Sequence, residues 1–391
     1  MAEAPTTGAN PAPGSQRPTN AEKAAIWDAY YQRRPVRAPV RLNVNPRIIL
    51  ADSALNTEGF TYEAAAQDPK THVEVWLRLE HHMRTALNHY TDGPAGLPDV
   101  WDVQLFNYNV YEAAYFGAPI HFPPDQVPAT KPILDNSDYS PVFEVAIESP
   151  LENPYIAERL AFWKEMERVC RDMRFEGRPV RLQPWAITGC DGPVTVACNL
   201  RGGDFMSDLL EQPGEADRLL AYITEAAIIR RQAFFDYWGD AVERVNTLAD
   251  DSCAMLSAEM YAGSVMPHHQ RYYETGPAVE RLMHLCGNAS HLFTAIRRQL
   301  DVTSFDTGFP IDHGKIRAEL GPGVEIAGGV PVDTLLNGSP NSVYEAARAI
   351  LVSGVKEGGR FILQEANNLP PACPLENLGA MYQACLEHGR Y

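Results

Sequence analysis

Val279-Glu280-Arg281-Leu282-Met283-His284-Leu285-Cys286-Gly287 reads as a β-strand that ends on an imidazole and a thiol. Side chains two apart on a strand share a face, so His284 and Cys286 converge just before Gly287-Asn288 breaks the run. Nitrogen plus sulfur is a donor set that suits zinc, at two of the three protein positions a catalytic site needs. The competing reading is a buried thiol beside a hydrogen-bonded histidine. What separates the two is the place of this strand in the fold and the existence of a third ligand.

The run is one of eight. Short β-like stretches at 40–45, 100–106, 180–188, 245–251, 279–286, 302–307, 324–329 and 360–365 alternate with longer helical ones. Leu220, Ile223, Ala227, Phe234 and Trp238 fall on one helical stripe, and a helix over 68–88 carries Val73, Trp76, Leu77, Leu79 and Leu87. Ser339-Pro340 offers an N-cap and an N1 proline ahead of Val343, Ala347, Ile350 and Leu351, and Gly358-Gly359 is expected to end that helix. Strand–helix alternation implies a parallel sheet. Eight units closing on themselves predict an α/β fold, a single (β/α)8 TIM barrel over 20–391 with an N-terminal helical extension capped by Asn20. Pro184 removes a ladder donor from the third run, and 118–155, rich in Pro and Asp, reads as an irregular excursion. Barrel active sites lie at the C-terminal strand ends, so Asp250-Asp251, His284, Cys286, Asp306, Gly328-Gly329 and Glu365 are expected on one rim.

A formal net charge of -17 over 391 residues excludes nucleic-acid and anionic-membrane partners, because both need a basic surface. The chain is 45% apolar and 9% aromatic, enough for a sizeable core. No apolar run nears the roughly 18 residues of a membrane span. Residues 1–19, rich in Pro, Ala, Gly and Thr without an apolar stretch, predict a disordered leader rather than a signal peptide. The cysteines at 170, 190, 198, 253, 286, 373 and 385 lack framework spacing and read as reduced thiols of a soluble cytoplasmic protein.

The last loop offers further candidates. Pro374 fits N1 of a final helix, which places Cys373 at the N-cap and Glu376 at N3. A thiol there sits at the positive end of a helix dipole, which favours the thiolate. Glu365, at a strand end, is a carboxylate suited to ligating zinc or acting as a base, or else to a rim salt bridge. Asp250 and Asp251 face opposite ways, so at most one lines the barrel mouth, to orient a ligand or a histidine; the alternative is a loop carboxylate that caps the next helix. His81-His82 and His268-His269 are consecutive, poor geometry for joint chelation, and read as packing residues. Gly328-Gly329 lacks the context of a dinucleotide site, and the chain has no G-x-S-x-G, P-loop or C-x-x-C.

Asp191-Gly192-Pro193, Asp250-Asp251-Ser252, His284-Leu285-Cys286-Gly287, Asp306-Thr307-Gly308, Gly328-Gly329-Val330 and Pro374-Leu375-Glu376-Asn377 together resemble the uroporphyrinogen decarboxylase superfamily. The resemblance runs from about Arg41 to the C-terminus. In that superfamily the porphyrin decarboxylases carry an arginine-rich loop after the first strand and an aspartate for the pyrrole N–H groups. Here residues 43–50 hold a single arginine, Arg47, and Asn109 stands where the aspartate is expected. A neutral amide does not stabilise a cationic pyrrole in the same way. The resemblance therefore implies the zinc-dependent methyltransferase branch, which moves a methyl group between a small methylated substrate or corrinoid protein and a thiol or cobalt acceptor. It implies His284 and Cys286 as zinc ligands and a third cysteine near Asn367, which this chain lacks. Glu365 or Cys373 is expected to complete the metal site, with Asp251, Glu365 and Arg47 as catalytic or substrate-contacting candidates, and Asp251 and Glu365 also as ligands or as support for the ligands. Zinc, a corrinoid partner protein and a homodimer follow from the same resemblance. Two other readings are a metal-free decarboxylase or lyase acting on a small or tetrapyrrole-like acid, and a non-catalytic barrel that binds a corrinoid or tetrapyrrole.

Overall fold

The structure, a computed structural model, describes residues 18–391 apart from Asp125 and Ser137. The leader expected over 1–19 thus lies outside the described residues except for Pro18 and Thr19. Thr19, rather than Asn20, caps the first helix, Asn20–Tyr31: its hydroxyl accepts from the Glu22 N–H, and the Glu22 carboxylate returns the contact.

Among the described residues ten strands follow in chain order: β1 (Trp101–Val103), β2 (Ile120–His121), β3 (Ala129–Thr130), β4 (Arg174–Phe175), β5 (Arg178–Leu182), β6 (Asn246–Ala249), β7 (Arg281–Leu285), β8 (Ser304–Thr307), β9 (Glu325–Val330) and β10 (Phe361–Glu365). β6 to β10 form a parallel sheet in which each strand pairs with the next in sequence. Val40 extends that series by a parallel bridge to Leu363, and Cys190 extends it at the other edge by a parallel bridge to Leu248. β5 pairs in parallel with β1. Among the described residues no ladder joins Val40 to β1. Parallel neighbours taken in chain order, with helices between them, are the α/β arrangement expected.

Several expected strands are shorter than read: 100–106 keeps only Trp101–Val103 and 245–251 only Asn246–Ala249, and two further runs lose more. The run at 40–45 contributes only the bridge at Val40, because the Asn43 N–H is given to a side chain, Glu365. The run at 180–188 ends as a strand at Leu182, ahead of Pro184, and pairing resumes at Cys190. The excursion over 118–155 holds the antiparallel β2–β3 ribbon and a short helix, Ser140–Phe143.

The helices form where the sequence supplies caps and an apolar stripe. Asp68 accepts from the Thr71 N–H ahead of Pro69–Thr85, with Pro69 in the first turn. Ser339 caps Pro340–Val352, which buries Val343, Ala347 and Leu351. These stripes close over the sheet as one apolar cluster that runs in sequence from Ala38 to Cys385. No described helix is long and apolar enough to cross a membrane.

Register decides which side chains meet. His284 is in register with Ala249 and Asp306, Asp306 with Ala327, and Ala327 with Ile362. Partners in register share a face, and so do residues two apart. Asp251, His284, Cys286, Asp306, Gln364 and Arg41 therefore share one face. Asp250 and Glu365 lie on the other, so the strand ends do not place Glu365 beside His284.

Candidate metal centre

β7 delivers His284, and Cys286 follows directly at its end, with Nε2 and Sγ 3.0 Å apart. The loop after β6 adds Asp251, whose Oδ1 accepts the Cys286 N–H at 2.7 Å and lies 3.7 Å from His284 Nε2. The ligand-type atoms of Asp251, His284 and Cys286 all lie within 4.8 Å of one another. One nitrogen, one sulfur and one carboxylate oxygen suit zinc in number and type and leave a fourth position for an exogenous ligand. The residues present fit that ion.

Behind the histidine stands a second carboxylate. Asp306 Oδ2 is 2.9 Å from His284 Nδ1, and Asp306 Oδ1 accepts from Gln364 Nε2 at 2.6 Å. Gln364 Oε1 in turn accepts from Arg41 Nε at 2.9 Å and Nη2 at 2.5 Å. Burial works against a charged His284 ring, yet the hydrogen bonds to Asp306 and then Cys286 carry its pKa well above the ordinary histidine value.

Neither residue expected to complete the site joins the group. Glu365 accepts the Asn43 N–H at 2.6 Å through Oε1, and its Oε2 has no partner. Burial pushes its carboxyl up to about 8, against the pull of the backbone hydrogen bonds. Cys373 is not the N-cap of the final helix, Leu375–His388; Pro374 is. Its thiol approaches the Leu335 carbonyl oxygen at 3.5 Å. Burial drives its pKa up to about 12, the reverse of the thiolate expected from a helix dipole. The third ligand-type atom near His284 and Cys286 belongs to Asp251 instead.

Asp250 faces away from this group and is fully buried. It accepts from the Val194 and Thr195 N–H groups and the Thr195 hydroxyl, capping Pro193–Arg201, and meets His269 Nε2 at 2.9 Å. With Cys253 it forms a second Asp–Cys–His cluster. His269 Nδ1 is already engaged by the Tyr261 hydroxyl, which makes this a packed cap. Gly192 is required beside it, since a Cβ there would lie 2.4 Å from Asp250 Cβ.

Arg47, expected near the site, does line a cleft of about 420 Å³ together with Cys286, Phe309, Asp333 and Asn367. Its Nε donates to Asn45 Oδ1 at 3.1 Å. A second cavity of about 360 Å³, walled by Phe106, Tyr108, Phe122 and Tyr155, contains none of Asp251, His284 and Cys286. Sequence reasoning missed Gln364 and Arg41, neutral or remote residues that only the ladder register brings to His284. It also gave no role to Asp191. Burial pushes that carboxyl up to about 7, and Glu112 and Asp251 add to the effect. It lies 3.3 Å from the Tyr111 hydroxyl, near the buried Arg230–Glu112 pair at 2.6 Å.

Residues 102–388 match the family model described as uroporphyrinogen decarboxylase (URO-D), and the chain belongs to that family. Methylcobamide:CoM methyltransferase MtbA of Methanosarcina mazei is 21% identical over 202 residues, 51% of this chain and 57% of that protein. The chain thus matches little more than half the length of this curated relative. A solved methyltransferase from Methanosarcina mazei has the same fold, with a TM-score of 0.63 at 19% identity over 93% of this chain and 98% of that one.

Proposed function

We propose that this chain, over residues 20–391, is a closed (β/α)8 barrel acting as a zinc-dependent methyltransferase. It moves a methyl group between a small methylated substrate or corrinoid protein and a thiol or cobalt acceptor. The observation that carries the reading is the convergence of Asp251, His284 and Cys286 at neighbouring strand ends, with Asp306 behind the imidazole. The relative named as a methylcobamide:CoM methyltransferase supports the same chemistry.

His284 Nε2, Cys286 Sγ and the Asp251 carboxylate would hold the metal. Bound there, zinc supplies Lewis acidity that lowers the pKa of a coordinated thiol. The residues around it do the positioning. With zinc bound, Asp306 would accept the Nδ1–H of a neutral His284 and leave the Nε2 lone pair free for the metal. Asp251 holds the Cys286 N–H and so fixes the end of β7. Arg47 gives the cleft a guanidinium for an anionic part of the substrate.

Metal analysis of protein purified without chelator tests the proposal. Near-stoichiometric zinc is expected, lost in His284→Ala and Cys286→Ala together with methyl transfer. Zinc-free protein that still transfers methyl groups, or that instead decarboxylates a small acid, overturns it.

A further inference from the structure

Arg41 and Gln364 lie on the two chain segments joined by the Val40–Leu363 bridge, 323 positions apart in sequence. Both stand on the His284 face of the sheet by register. Arg41 only donates hydrogen bonds, and two of its N–H groups converge on one atom, Gln364 Oε1. That fixes the amide: its oxygen must face Arg41, so its Nε2 must face outward. The outward group meets Asp306 Oδ1 at 2.6 Å, and the other oxygen of the same carboxylate meets His284 Nδ1 at 2.9 Å. The result is an unbroken line of oriented donors and acceptors. It runs from a guanidinium on the first strand segment, through the last strand and β8, to the ring on β7.

We propose that Arg41 and Gln364 are positioning residues which, through Asp306, hold the His284 ring with Nε2 aimed at Cys286 and Asp251 as a metal ligand. The inference rests on the zinc reading above and goes beyond it, because neither residue touches a ligand atom of the Asp251–His284–Cys286 group. An Asp306 without its Gln364 donor has one oxygen unheld, so it can rotate and the ring with it. Outer partners of this kind alter metal affinity by about 10–100-fold when removed.

The test is zinc affinity of the purified full chain, measured by competition with a chromogenic chelator well below the melting temperature, with the folded fraction checked by circular dichroism. Gln364→Met removes both polar contacts at similar volume. Gln364→Glu keeps an acceptor for Arg41 but offers no N–H to Asp306. Both are expected to weaken zinc binding about 10–100-fold. Arg41→Met frees the amide to invert and is expected to weaken binding less than either. A loss of thermal stability without a loss of affinity marks a merely structural role and overturns the inference, as does affinity within twofold of wild type in both Gln364 variants. If the wild type takes up no zinc, the proposed function falls and this inference falls with it. Zinc-loaded wild type with unaffected variants overturns this inference alone.

Discussion

Glu365→Gln removes a carboxyl group that is fully buried, accepts one hydrogen bond from the Asn43 N–H, and leaves its Oε2 without a partner. Burial raises its pKa from 4.5 to about 8. A raised pKa means that the folded chain binds this proton more tightly than the unfolded chain does. The stability gained is complete below pH 4.5 and is lost as the pH rises through about 8. At roughly 1.4 kcal/mol for each tenfold change in proton activity, the wild type loses at most about 5 kcal/mol across that window. Glutamine keeps the acceptor for Asn43 and does not titrate. The two proteins are therefore expected to be close in stability near pH 5, and the variant is expected to be the more stable by several kcal/mol near pH 9. Urea unfolding of both proteins at a series of pH values measures the difference. Parallel stability curves from pH 5 to pH 9 would refute the argument that this carboxyl is held protonated by burial. Zinc content serves as the companion readout: Glu365→Gln should load as the wild type does, because Glu365 lies on the face opposite His284.

Other consequences follow from the same geometry. Asp251→Ala is expected to weaken zinc binding about 100-fold or more while Cys373→Ser leaves it unchanged, read by chelator competition; the reverse result would restore Cys373 as the third ligand. Glu112→Ala strands the buried Arg230, whose Nε and Nη1 already lack hydrogen-bond partners among the described residues, and should cost about 3–5 kcal/mol in urea unfolding. Replacing Glu112 and Arg230 together by apolar residues should recover most of that loss. Gly329→Ala would place a Cβ 1.9 Å from the Gln364 carbonyl oxygen, so it should separate β9 from β10, lower the melting temperature and reduce zinc affinity through the displaced Gln364.

Much of the fold is legible because alternation and capping are local properties. β7 to β10 fall within two residues of the runs read from sequence, and Ser339-Pro340 starts its helix as the capping rules require. The losses come from competition for backbone groups. Asn43 turns its N–H to a side chain, and Pro184 has none to give. At the last helix, Ala372 adopts a positive φ of 56° and Pro374 is extended, which moves the helix start past Cys373. In the site, the His284–Cys286 pair follows from the strand period alone. The neighbouring carboxylate does not. Choosing Asp251 over Asp250, and Gln364 over Glu365, requires knowing which partner each strand residue faces. Formal charge drew attention to Glu365, whereas strand parity gives the place in the site to its neutral neighbour.

The peptide bond between Asp250 and Asp251 joins two residues with opposite obligations. Asp250 anchors the start of Pro193–Arg201 and His269 in the interior, while Asp251 is half-exposed beside the imidazole and the thiol. In a saturation-mutagenesis library scored first for abundance and then for activity, these adjacent positions should separate cleanly. Variants at 250 should vanish at the abundance step. Variants at 251 should accumulate as well-folded protein and disappear only when turnover is selected. One dipeptide thus provides an internal calibration of how far foldability and function can be mutated apart.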